Sequence, residues 1–121
     1  MVKALFDTNI LIDFLNGVPQ ARDEIARYEG KAISIITWME VLVGADRQVE
    51  ARTRDYLNSF DVIPLDDKVA DRAVDLRREH GIRLPDAIVW ASAEVRAMLL
   101  VTRNTTDFGR DTPGIRVPYA L

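Results

Sequence analysis

The chain has 121 residues, enough for one compact domain that removes roughly 65% of its unfolded surface from water. Apolar residues make up 48% and charged residues 29%, a balance that argues against a disordered chain and a membrane-embedded one. No cysteine is present, so a disulfide framework, a thiolate zinc site and a cysteine nucleophile are excluded, and the formal charge of -3 argues against a protein held to nucleic acid by its overall field.

The sequence predicts a single domain over residues 1–121 with strands and helices in alternation. Val2 to Phe6 reads as a first strand that meets Asp7-Thr8-Asn9, and a helix follows from Ile10 to about Leu15. Gly17 and Pro19 break that helix. A second runs from about Gln20 to Tyr28, with Gly30 as its expected C-terminal cap. The β-branched stretch Lys31 to Ile36 reads as a strand. Thr37-Trp38-Met39-Glu40 has the capping-box pattern and opens a third helix, with Gly44 as a point of interruption.

Val49 to Ser59 reads as helix and Asp61 to Leu65 as a short strand. Asp66 caps the next helix, where Val69, Ala73 and Leu76 recur on one face and Gly81 closes the run. Pro85 sits at a first helical position, followed by Asp86. From Ala87 to Met98 the helix is apolar on most sides, which predicts a central, buried element. Leu99 to Thr102 is a strand, Arg103 to Pro113 a long loop, and Ile115 to Val117 a last strand. This order predicts a three-layer α/β/α sandwich with a mostly parallel central sheet. In such sheets ligands bind beyond the carboxyl ends of the strands.

The longest apolar runs, Ala87 to Ala91 and Ala97 to Val101, are five residues each, whereas a spanning helix needs about 20. Met1 to Phe6 is too short for a secretory signal before Asp7 intervenes. A cytoplasmic location is expected.

Four carboxylates fall at the same edge of that sheet. Asp7 follows the first strand, Glu40 lies early in the helix after the second, and Asp107 lies in the loop after the Leu99 to Thr102 strand. Asp86 begins the helix that leads back into that strand. Each has an ordinary structural explanation: Glu40 as the partner of Thr37 in the capping box, Asp86 as a complement to a helix dipole, Asp107 as turn-forming material. Asp7, straight after a buried strand, is the hardest to explain that way. Their conjunction is the stronger signal. Two carboxylates about 4 Å apart repel by roughly 4 kcal/mol at an effective dielectric of about 20, so several together call for a cation or a proton. Oxygen donors without cysteine or paired histidines suit a hard ion, Mg2+ or Mn2+, which meets phosphates and promotes attack on phosphorus.

Other chemistries fail on inventory. His80 is the only histidine, so a histidine acid–base pair is impossible, and at a helix end beside Gly81 its charge complements the dipole. No phosphate-binding Gly-x-x-x-x-Gly-Lys loop is present. Ser34, Ser59 and Ser92 have no histidine base placed by any motif.

Four blocks, Leu5-Phe6-Asp7-Thr8-Asn9-Ile10-Leu11-Ile12, Ser34-Ile35-Ile36-Thr37-Trp38-Met39-Glu40-Val41-Leu42, Leu84-Pro85-Asp86-Ala87-Ile88-Val89-Trp90-Ala91 and Leu100 to Phe108, resemble in order and spacing the PIN-domain ribonucleases of the VapC toxin type. The resemblance covers essentially the whole chain. It implies divalent-metal-dependent cleavage of RNA, with transfer RNA as a family expectation, leaving a 5′ phosphate and a 3′ hydroxyl. It implies Asp7, Glu40, Asp86 and Asp107 as the catalytic acids. Asp7, Asp86 and Asp107 would hold the metal and Glu40 would position or activate water. Asn9, Thr102 and Asn104 resemble the family's supporting polar residues, and also suit turns and strand ends. Some relatives carry an acid where this chain has Asn104; here only Asp107 is acidic, which places the fourth carboxylate there.

The resemblance further implies a homodimer and a VapB-type antitoxin whose helix needs an apolar groove. Trp38, Leu42 and the helix containing Tyr56 are candidates to line it, or to belong simply to the core. Arg22, Arg47, Arg83, Arg103 and Arg110 are candidates for RNA phosphates, or ordinary surface charges. A receiver domain of two-component signalling fits less well, because Thr8 and Asn9 follow Asp7 and no lysine follows Lys68. A dehalogenase-type phosphatase fails because Asn9 stands where its second aspartate belongs. The remaining alternative is a catalytically silent PIN-like scaffold that binds RNA or protein.

Overall fold

In the computed structural model of the chain, which describes residues 2–106, 108 and 111–121, a five-stranded sheet carries helices on both faces. The order is β1 (Lys3–Phe6), α1 (Thr8–Leu15), α2 (Pro19–Ala26), β2 (Gly30–Ser34), α3 (Ile35–Gly44), α4 (Glu50–Asn58), β3 (Asp61–Ile63), α5 (Asp67–His80), α6 (Leu84–Val95), β4 (Leu99–Val101) and β5 (Ile115–Arg116). All four strand pairings are parallel, in the order β3-β2-β1-β4-β5. The expected three-layer sandwich is therefore present, with a wholly parallel sheet among the described residues.

Side chains alternate across the central strands, and the alternation builds two cores. Leu5, Ala32 and Leu100 point to one face, against Val69, Ala73 and Leu76 of α5 and Ala87 to Ala91 of α6. Ala4, Phe6, Ile33 and Val101 point to the other, against Ile10 and Leu11 of α1, Ile25 of α2, Val41 of α3 and Leu57 of α4. Helix α6 has a continuous run of buried residues from Ala87 to Ala93. That is what an all-round apolar helix requires.

The chain leaves β1 toward β2 on one side, and β4 returns on the other. A crevice opens where such an order diverges, at the carboxyl ends of the strands. Here it lies between β1 and β4, where the Asp7 backbone N–H extends the pairing by donating to the Val101 carbonyl at 2.9 Å.

Several local expectations are corrected. Helix α1 starts at Thr8 rather than Ile10, because the Asp7 side chain caps it by accepting from the Thr8 backbone N–H at 2.8 Å. The second strand ends at Ser34, not Ile36. The Ser34 hydroxyl accepts from the Ile36 N–H at 3.1 Å and turns the β-branched Ile35-Ile36 pair into the first turn of α3. The Thr37/Glu40 capping box does not exist: Thr37 is buried inside the helix and Glu40 lies beyond its first turn.

Gly30 is no helix cap but the first residue of β2. It is paired with Lys3, and a Cβ there would come within 2.6 Å of the Lys3 Cγ. Strand β3 stops at Ile63 because Pro64 has no N–H to continue the ladder. Helix α6 stops at Val95, and Ala97 takes a left-handed conformation at φ 55° to turn the chain into β4. The caps at Asp66 and Gly81 are as expected, with Asp66 accepting from the Val69 N–H at 2.9 Å and Gly81 at φ 67°.

Candidate active site

Asp7 is 5% exposed. A buried carboxylate is expensive unless donors satisfy it. Its Oδ1 accepts from the Thr8 N–H at 2.8 Å, and its Oδ2 accepts from the Thr102 hydroxyl at 2.7 Å across the β1/β4 crevice. Thr102 is itself fully buried and receives the backbone N–H of Asn104 at 3.0 Å. Asn9 completes this side. Its Oδ1 accepts from the Arg103 N–H at 3.1 Å, which directs its amide nitrogen toward Asp7 Oδ2 and the Thr102 hydroxyl, each at 3.4 Å.

Glu40 approaches from α3. Its Oε1 accepts from the Thr8 hydroxyl at 2.7 Å, and the same hydroxyl lies 3.0 Å from that of Thr37. One hydroxyl carries one proton, and the carboxylate takes it, so the buried Thr37 hydroxyl turns its own proton toward Thr8. Thr8 thereby joins the Asp7 cap to the Glu40 carboxylate. In place of the capping-box role, the Glu40 carboxylate ties α3 to the start of α1.

Asp86 stands in the first turn of α6, a helix that packs on β1, β2 and β4 and runs antiparallel to the strands, so its N-terminus lies at their carboxyl edge. Its side chain is 14% exposed and meets the Arg83 guanidinium at 3.1 Å. Asp107 lies outside the described residues. The edge thus carries Asp7, Glu40 and Asp86 with Asn9 and Thr102 around Asp7. Asn104 contributes its backbone N–H to Thr102 and bends its side chain back to the Thr106 N–H at 3.0 Å.

Among the described residues no group of three or more acidic or histidine side chains forms a ready metal cage. The donor set fits a different arrangement. Mg2+ dehydrates reluctantly and is commonly held by one or two carboxylates plus waters and substrate phosphates. Asp7, held rigid by its hydrogen bonds, and the nearly buried Asp86 are oxygen donors of that kind. His80, the lone histidine, ends α5 as expected, and its ring lies 4.8 Å from that of Trp90 with the planes tilted by 41°.

Sequence reasoning missed Thr8 and Thr37, because a hydroxyl beside a capping acid has no distinctive spacing. It also left Arg103 as a candidate for RNA phosphates. In the structure its guanidinium is committed to Asp13, at 2.7 and 2.9 Å. Beside the acidic edge, α1, α3 and α4 enclose a groove of about 550 Å3 lined by Ile12, Leu15, Glu40, Val41, Arg52 and Tyr56, among others. Tyr56 lines it and also packs on the core. Trp38 and Leu42 pack on the core instead, with the Trp38 indole N–H bonded to Asn58 at 3.0 Å.

Known proteins share this architecture. Ribonuclease VapC10 of Mycobacterium tuberculosis is 39% identical over 113 residues, covering 86% of this chain and 84% of its own length. The tRNA(fMet)-specific endonuclease VapC of Shigella flexneri is 30% identical over 122 residues, covering 91% and 92%. A chain of a toxin–antitoxin complex from Klebsiella pneumoniae is 45% identical and superposes with a TM-score of 0.94 over 98% of this chain and 100% of that one. The family model of the PIN domain matches residues 4–110, and the chain belongs to the PIN-domain family.

Proposed function

We propose that this protein is a metal-dependent endoribonuclease, the toxin of a type II toxin–antitoxin pair, acting in the cytoplasm on structured RNA of the transfer-RNA class. The observation that carries the reading is Asp7: a buried carboxylate at the β1/β4 crevice, both oxygens held by donors from two strand ends, within one residue of the hydroxyl that orients Glu40. The kinship with the VapC ribonucleases supports it. Among the described residues no helix is long and apolar enough to cross a membrane.

Asp7 and Asp86, with Asp107 as the third candidate, would hold Mg2+ or Mn2+. A divalent ion there supplies Lewis acidity and offsets the charge that builds on the phosphodiester during in-line attack. Glu40, anchored through Oε1, presents Oε2 to a water and takes its proton as the oxygen attacks phosphorus. The bond to the leaving 3′ oxygen breaks and that oxygen takes a proton from solvent, giving a 5′ phosphate and a 3′ hydroxyl. Thr102 and Asn9 keep Asp7 in one rotamer throughout.

The partner is an antitoxin of the VapB type. The apolar groove, with Ile12 and Leu15 exposed along it, suits an amphipathic helix, and Glu40 on its wall lets an occupant reach the acidic edge. A homodimer is the expected assembly of the toxin. The test is RNA cleavage by purified protein with Mg2+, with EDTA, and by Asp7→Asn prepared in parallel. Cleavage that needs the metal and vanishes in the variant is expected. Equal cleavage by the variant overturns the assignment, and absence of cleavage with retained RNA binding identifies a silent scaffold.

A further inference from the structure

Asp13 lies six residues beyond Asp7 on α1, with its side chain only 7% exposed. Its carboxylate receives three hydrogen bonds. Arg103 donates from Nε to Oδ2 at 2.7 Å and from Nη2 to Oδ1 at 2.9 Å, and the Tyr119 hydroxyl donates to Oδ2 at 2.8 Å. Such a bidentate pair has a fixed orientation that a lysine would not give.

Asp13 reaches the residues around Asp7 by way of Arg103, whose backbone N–H holds Asn9 Oδ1 at 3.1 Å and whose neighbour Thr102 holds Asp7 Oδ2 at 2.7 Å. Helix α1 is thus fastened to the exit of β4 at two levels. Asp7 and Asn9 meet Thr102 and the Arg103 backbone at its start, and Asp13 meets the Arg103 side chain further along. One peptide serves both levels. If the guanidinium swings away, the Arg103 N–H and the Thr102 hydroxyl lose the frame that aims them.

The geometry points to Asp13 as a positioning residue for the metal site: with Arg103 and Tyr119 it clamps the β4 exit so that Asn9 and Thr102 hold Asp7 in its ligating rotamer. This inference rests on the reading of Asp7 as a metal ligand. Residues that orient a ligand typically change metal affinity or activity by roughly 10–100-fold.

The experiment uses the full chain and two readouts, Mn2+ binding followed by electron paramagnetic resonance and hydrogen exchange of the Asn9 side-chain and Arg103 backbone amides. Asp13→Asn is expected to weaken Mn2+ binding roughly tenfold and to strip protection from both amides below the global unfolding limit. Arg103→Lys, which keeps the charge and loses the fork, falls between wild type and Asp13→Asn and serves if the latter does not fold. Arg96→Gln is the control. It breaks an ion pair that shares no residue with the β4 exit, with Asp66 at 3.0 Å, and is expected to leave Mn2+ binding near wild type. Equal weakening by Arg96→Gln, or unchanged binding and protection in Asp13→Asn, overturns the clamp. Wild-type protein that binds no Mn2+, or binds it equally well as Asp7→Asn, overturns the metal reading itself.

Discussion

Thr8 and Glu40 stand 32 residues apart, yet the Thr8 hydroxyl donates to Glu40 Oε1 at 2.7 Å. Thr8 is also the residue whose backbone N–H is capped by Asp7. Two carboxylates from different helices are therefore indexed to one residue, through its backbone and its side chain.

Removing that hydroxyl isolates its contribution. Thr8→Val keeps the β-branched shape and the capped N–H but leaves Glu40 without its donor. RNA cleavage is expected to fall roughly tenfold with a stability loss of about 1–3 kcal/mol, because the buried Thr37 hydroxyl loses its acceptor too. Thr8→Ser restores the hydroxyl and most of the rate. Cleavage kinetics beside thermal melts check this, and a Val variant as active as wild type contradicts the role given to Glu40.

Asp7 has two jobs that substitution can separate. Asparagine caps helices about as well as aspartate, so Asp7→Asn is expected to melt within about 1 kcal/mol of wild type while losing cleavage by at least about 100-fold. Asp7→Ala also loses the cap and is expected to cost about 1 kcal/mol more. Denaturation curves of both variants decide it.

Stability is expected to fall at both pH extremes for different reasons. Burial raises the Glu24 carboxyl, but hydrogen bonds from Arg116 and Tyr28 and the charges of Arg116 and Arg27 outweigh it and hold the group below its ordinary 4.5. The stabilisation is full above that ordinary value and drains as pH falls through the lower folded value.

The tyrosines act with the opposite sign. Burial pushes the Tyr56 phenol up to about 12. Burial, then hydrogen bonds and charge from Glu24 and Asp13, raises Tyr28 and Tyr119 above the ordinary 10.0. Their contribution is intact below that ordinary value and is lost as pH climbs through the folded ones. Phenolate absorbance is expected to lag that of the unfolded chain, and Glu24→Gln is expected to flatten the acid limb.

Ala97 offers a gain in stability away from the site. Its φ of 55° strains a residue with a Cβ. Ala97→Gly is expected to stabilise the fold by about 0.5–1 kcal/mol with cleavage unchanged. Urea titration measures it, and a loss of stability argues against strain at this turn.

The sequence alone determined the layers, the parallel sheet and the edge at which Asp7, Glu40 and Asp86 lie. Hydrophobic periodicity and strand–helix alternation are local, and alternation forces helix starts and strand ends to one side of the sheet. Only the tertiary structure decided the roles of Thr8, Thr37 and Arg103. Nothing in the sequence neighbourhood of Arg103 says that its partner is 90 residues away on α1. Likewise the Ile35-Ile36 pair reads as strand until the Ser34 cap and the packing of Ile36 against the core under α5 and α6 overrule the propensity of β-branched side chains. Hydrogen bonds between distant segments form only once the chain is folded, so their geometry belongs to the packed state and leaves no periodic trace in the sequence.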